Sequence, residues 1–128
     1  MKLLAAALVL FAATAVAAPA PATGARISVE PDSFDFGRTL QNKLVAKVFV
    51  IRNIGTEDLV IERVSTTCGC TVADGYAKLV KPGQTTTMNV QLQTRTYLNR
   101  IERKVLVRSN DATHDPLEIK VQATVVAQ

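Results

Sequence analysis

Apolar residues recur at every second position through most of the chain from Arg26 onward, and no stretch carries the 3.6-residue spacing of an amphipathic helix. Ile27 and Val29 alternate with Arg26, Ser28 and Glu30 until Pro31-Asp32 breaks the run. Ser33 to Phe36 is a short extended piece with Phe34 and Phe36 on one face, and Gly37 is expected to end it. Leu44 to Asn53 is longer and apolar on both faces, with Phe49 and Ile51 set against Val48 and Val50. Such a run predicts a central strand covered on both sides. Asn53-Ile54-Gly55-Thr56 supplies turn chemistry, and Leu59 to Ser65 returns as another strand.

Residues 71–80 are less regular, with a turn at Asp74-Gly75, and Lys81-Pro82-Gly83-Gln84 is a strong turn signal. Thr86 to Gln93 places Met88, Val90 and Leu92 inward. Arg100 to Ser109 sets Ile101, Val105 and Val107 against Glu102, Lys104, Leu106 and Arg108. Leu117 to Val125 closes the pattern with five apolar residues on one face. About seven strands at intervals of roughly ten residues predict an all-β fold, an immunoglobulin-like β-sandwich of two antiparallel sheets. An up-and-down barrel suits strands so uneven in length less well.

The amino-terminal residues change the expected compartment. Met1-Lys2 precedes an uncharged run from Leu3 to Val16 that ends in Ala15-Val16-Ala17. A spanning helix needs about 20 apolar residues, so the run reads as a secretory signal peptide, residues 1–17, cut after Ala17. Residues 18–25, all small, Pro or Gly, read as a disordered leader, and residues 26–128 as the domain. The expected location is periplasmic or secreted, with no stable membrane anchor after cleavage. The formal charge of +4 loses Lys2 with the signal, and about +3 is too mild to imply nucleic acid.

Five landmarks in order carry a resemblance: Phe34-Asp35-Phe36-Gly37; Phe49 to Gly55; Leu59-Val60-Ile61 leading into Cys68-Gly69-Cys70-Thr71; Lys81-Pro82-Gly83-Gln84; and Ser109-Asn110-Asp111. The set resembles the bacterial family known as domain of unknown function 1573, itself similar to Hydin-type and pilus-chaperone-like immunoglobulin folds. The resemblance implies the sandwich and carries no established activity. Ile54 departs from the small Thr or Asp usual in that turn. Taken singly, Gly37, Asn53, Asn110 and Asp111 read as folding signals.

No arrangement suggests hydrolysis or group transfer, and no small-molecule substrate is evident. His114 stands alone in the turn from Asp111 to Pro116, and the acidic residues are scattered singly. Arg95, Arg100, Arg103, Lys104 and Arg108 read as a solvated outer face. Cys68 and Cys70 are the two cysteines of the chain. In an extended segment they point to the same face. They read as small, partly buried side chains ending a strand before a glycine bulge. Alternatively they form a readily reduced disulfide, with Gly69 relaxing the backbone, or bind Cu(I) with Met88 or His114 as a third ligand. Zinc comes last, because two ligands do not make a structural zinc site. The chain therefore reads as a non-enzymatic exported module that binds an unidentified envelope protein and needs no cofactor. The alternative is a small redox or copper-binding protein working through Cys68 and Cys70.

Overall fold

The alternation becomes two β-sheets in the computed structural model, which describes residues 23–128. The strands are β1 (Ile27–Glu30), β2 (Ser33–Leu40), β3 (Leu44–Asn53), β4 (Leu59–Thr66), β5 (Thr71–Asp74), β6 (Leu79–Val80), β7 (Thr85–Gln93), β8 (Asn99–Ser109) and β9 (Leu117–Val126). One sheet has the order β1-β3-β7-β5 and the other β2-β9-β8-β4-β6. The fold is an immunoglobulin-like β-sandwich. The strands beyond the expected seven include β5 and β6, four and two residues long, too short for alternation to reveal them.

One sheet is not wholly antiparallel as expected, because β2 pairs with β9 in parallel. Pro31-Asp32 carries the chain from the first sheet to the second, where β2 lies beside β9 running the same way. Gly37 does not end β2 either. It sits in a bulge between Asp35 and Arg38 with φ 73°, and its N–H donates to Asp35 Oδ1 at 2.8 Å. A side chain there would be strained, so glycine lets the strand bend and continue to Leu40.

The core fills in two parts. Phe49, Ile51, Leu59, Ile61, Met88, Val90, Val105, Val107, Ile119 and Val121 form the main body between the sheets. At one end, Cys70, Leu92, Ile101, Ala123 and Val125 form a smaller cluster, with Phe36, Val45, Cys68 and Tyr97 packed on it. Among the described residues β3 is covered on one face rather than both. Phe49, Ile51 and Asn53 are buried, whereas Val48 is 52 % and Val50 39 % exposed, because nothing among the described residues lies over the outer face of this sheet.

The expected signal peptide, residues 1–17, lies outside the described residues, as do residues 18–22 of the expected leader. The end of that leader is docked. Gly24 N–H donates to Thr56 Oγ1 at 2.9 Å, Thr56 N–H donates to Gly24 O at 2.8 Å, and Ala25 is buried. The folded unit therefore begins before Arg26. Gly55 makes this possible, since a Cβ there would stand 2.7 Å from the Arg26 nitrogen.

Candidate functional site

The cysteines sit where the chain passes from one sheet to the other. β4 ends at Thr66, β5 starts at Thr71, and Thr71 N–H donates to Cys68 O at 3.1 Å, so Cys68-Gly69-Cys70-Thr71 is a turn. Thr66 Oγ1 fastens it by donating to Cys68 O and Thr71 O, both at 3.0 Å. The expected extended segment with a glycine bulge is thus a corner. Turning brings the two Cα atoms to 5.2 Å, within the range a disulfide accepts, and the sulfurs are bonded to each other. Gly69 is exposed, and a Cβ there would meet nothing within 4 Å.

The two sulfurs differ in surroundings. Cys70 is 2 % exposed and packed in the smaller core cluster, with Thr71 Oγ1 at 3.8 Å from its sulfur. Cys68 is half-buried. Its sulfur accepts the Cys70 N–H at 3.2 Å and has the Tyr97 hydroxyl at 3.9 Å. A disulfide sulfur carries no proton, so Tyr97 is the donor of that contact. Arg103 lies 5.1 Å from the Tyr97 ring centroid, and its Nε is buried without a hydrogen-bond partner among the described residues. This corrects the reading of Arg103 as an outer-face residue. It shares the inward parity of Ile101 and Val105, a signal the alternation did contain. Tyr97 left no such trace, because its loop has no periodicity.

The conceivable third copper ligands lie elsewhere. Met88 is fully buried in the main core, four residues along β7 from Leu92, or roughly 13 Å of strand. His114 follows β8, whereas the cysteine turn meets that strand at Lys104, where Thr67 N–H donates to Lys104 O. Lys104 and Ser109 are themselves roughly 17 Å apart along the strand. Among the described residues no three His, Cys, Asp or Glu side chains gather to hold a metal ion.

The landmark polar residues are fastenings. Asn53 is fully buried; its Oδ1 accepts Gly55 N–H at 2.9 Å, and its Nδ2 donates to Val80 O at 2.9 Å and Glu57 O at 2.6 Å. Asn110 Oδ1 accepts Val60 N–H at 2.8 Å. Asp111, also fully buried, accepts Ile27 N–H at 3.0 Å, Thr113 N–H at 2.9 Å and the Thr113 hydroxyl at 2.6 Å, with Arg26 at 3.5 Å. Burial alone would raise its pKa. The Thr113 hydroxyl, the N–H groups of Ile27 and Thr113, and His114 outweigh burial and hold it at about 2. His114 Nδ1 stands 3.5 Å from this carboxylate, so the lone histidine belongs to the same clasp.

The outer faces of the two sheets have opposite character. On the five-stranded sheet Lys120 pairs with Glu102 at 3.1 Å, Lys104 with Glu118 at 3.6 Å, and Arg100 bonds Gln122. On the four-stranded sheet the outward residues of β3 are Leu44, Ala46, Val48 and Val50 until Arg52, beside Thr87, Asn89 and Gln91 of β7 and Val72 of β5. An open hollow lined by Ser28, Glu30, Val50, Arg52 and Ile54 continues this face. β1 covers only the Val50–Asn53 end of β3. Asn53 N–H and C=O point toward β7, bonding Gln84 O and Gly83 N–H, so by alternation those of Ala46 and Val48 point to the uncovered side. Among the described residues those groups have no backbone partner.

The family model described as "Protein of unknown function (DUF1573)" matches residues 27–125. No curated protein matches the chain. Among solved structures, a protein of unknown function from Porphyromonas gingivalis W83 is similar at TM-score 0.69 and 21 % identity, over 84 % of this chain and 50 % of that one. The chain thus spans half the length of that relative. The ASH / PapD-like domain 7 of human CEP192 matches at TM-score 0.61 and 12 % identity, covering 88 % of this chain and 92 % of that domain. Vibrio cholerae VesB protease matches at 0.58 and 9 % over 77 % of this chain and 31 % of the protease. These likenesses show the fold alone.

Proposed function

The chain belongs to the DUF1573 family, and from that premise we propose that it is an exported, non-enzymatic module of the cell envelope that binds another protein by adding a strand to β3. The observation that carries this reading is the uncovered length of β3, where the backbone groups of Ala46 and Val48 face outward beside uncharged side chains. An open edge of this kind is a template for an incoming strand. Of the other edges, β1 and β5 are four residues long and β6 is two, too short to offer much of a template. β2 has its bulge between Asp35 and Arg38, and β4 has one between Ile61 and Arg63, next to Glu62.

The occupant is an extended segment of a different protein, with apolar residues on the outer face and carboxylates near exposed Lys43 and, on the inner side of the edge, near Lys47, whose ammonium lies 4.7 Å from the Phe34 ring centroid. A second copy of β3 would bring the same lysines to the same edge, and like charges across a strand pair are unfavourable. Export rests on the Met1–Ala17 pattern, and the periplasm or the outside of the cell is the proposed location.

A photoreactive amino acid at Val48, in the protein expressed in its own cell, tests the reading. The expected product is a discrete adduct with one envelope protein, absent when the probe is placed at Lys104 on the charged face. Equal adducts from both positions, or none from Val48, would remove strand addition from the account.

A further inference from the structure

The corner between β4 and β5 carries chemistry that strand addition does not use. We propose that Cys68-Gly69-Cys70 is a stoichiometric thiol–disulfide exchange site that oxidises one equivalent of a protein dithiol without turnover, with Cys68 as the exchanging sulfur and Cys70 as the resolving one. The asymmetry of the pair assigns the roles. Cys68 is half-buried beside an exposed glycine, so an incoming sulfur reaches it past Gly69 without meeting a side chain there. Cys70 is enclosed by Leu92, Ile101, Ala123 and Val125.

Two donors converge on the Cys68 sulfur, the Cys70 N–H at 3.2 Å and the Tyr97 hydroxyl at 3.9 Å. Hydrogen bonds to a thiolate favour its charged form and make it the better leaving group. Arg103, over the Tyr97 ring, adds a cation to the same end of the sandwich. The disulfide closes a loop of only three residues, so it removes little entropy from the unfolded chain. Such a bond contributes little as a staple, and the surrounding donors serve the reduced state.

The exchange balances with the partner dithiol as the reductant. A partner thiolate attacks Cys68 Sγ; the bond to Cys70 Sγ breaks, and its electron pair leaves on Cys70, which takes up a proton. The second partner thiol, deprotonated, attacks the partner sulfur of the mixed disulfide, and Cys68 departs as the thiolate held by Tyr97 and the Cys70 N–H. Two electrons have passed from the partner to the protein, and the partner has become a disulfide.

The full chain, reduced and then treated with iodoacetamide at pH 7, provides the first test, read by peptide mass. Cys68 should be alkylated at least about tenfold faster than Cys70. The oxidised protein mixed with a synthetic Cys-x-x-Cys peptide should convert one equivalent to its disulfide. Cys70→Ser, mixed with a single-cysteine peptide activated as its 2-nitro-5-thiobenzoate disulfide, should release one equivalent of thionitrobenzoate and keep the peptide as a mixed disulfide on Cys68, whereas Cys68→Ser, with its remaining thiol enclosed, should keep none. Tyr97→Phe should keep the thermal midpoint of the oxidised protein while moving the pH midpoint of Cys68 alkylation upward, a shift that a packing role would not produce. Faster or equal alkylation of Cys70, or a disulfide left intact by excess peptide, would overturn the proposal. Neither result bears on the crosslink at Val48.

Discussion

Asp111 is the residue whose chemistry matters most to the fold. Its fully buried carboxylate joins β1 to the loop after β8 through Ile27, Thr113 and Arg26. Its pKa falls from 3.8 to about 2, so the unfolded state binds the proton more readily. The stabilisation is therefore present above about pH 4 and lost as pH falls toward 2, amounting to about 2 kcal/mol. Asp111→Asn should cost that much at pH 7 and flatten the acid limb between pH 4 and 2, as read by denaturant unfolding at several pH values. Gly55→Ala should also destabilise, by more than about 2 kcal/mol, because a Cβ meets the Arg26 backbone. The turn around Asn53 and Gly55 was legible as turn chemistry. The reach of Asp111 to Ile27 was not, since nothing local in Asn110-Asp111 announces a partner so far back in the chain. Tyr97 was hidden for the same reason, whereas Arg103 could have been placed by counting positions from Ile101.

Among the elements, β3 shows both what alternation reveals and where it misleads. Its bounds, Leu44–Asn53, follow directly from the apolar run. The same run suggested cover on both faces, because apolarity in sequence does not distinguish a surface buried within the chain from one left open. Leu44 and Val48 are more than half exposed. Val48→Asp should therefore leave stability within about 0.5 kcal/mol while abolishing the crosslinked adduct, with the photoreactive residue moved to Leu44 for the comparison. Gly37 misled in the opposite direction: a residue that ends strands elsewhere here bends one that continues. β5 and β6 escaped notice because four and two residues show no period, and their pairing with β7 and β4 is set by distant partners.

At the scale of the whole molecule, the sandwich is held by apolar burial between the sheets, and the single disulfide described lies at one corner. A three-residue loop contributes only about 1.5 kcal/mol of chain entropy. Reduction with dithiothreitol should accordingly leave the sheets intact and lower the thermal midpoint by roughly 5–10 °C, as measured by circular dichroism. Loss of the folded state on reduction would give the corner a structural role instead. The division of strands between two sheets, and the contrast between a charged outer face and an apolar one, emerge only once non-local pairing is known.

Strand addition at β3 is the central claim, and amide hydrogen exchange tests it most directly. The segment captured at Val48 is synthesised as a peptide and added to the protein, and exchange is followed residue by residue. The account predicts that the Ala46 and Val48 amides exchange freely without peptide and slow at least about tenfold with it, while Phe49 and Ile51 stay protected throughout. Protection that appears instead along β2 or β4, with Ala46 and Val48 unchanged in the bound protein, would contradict it.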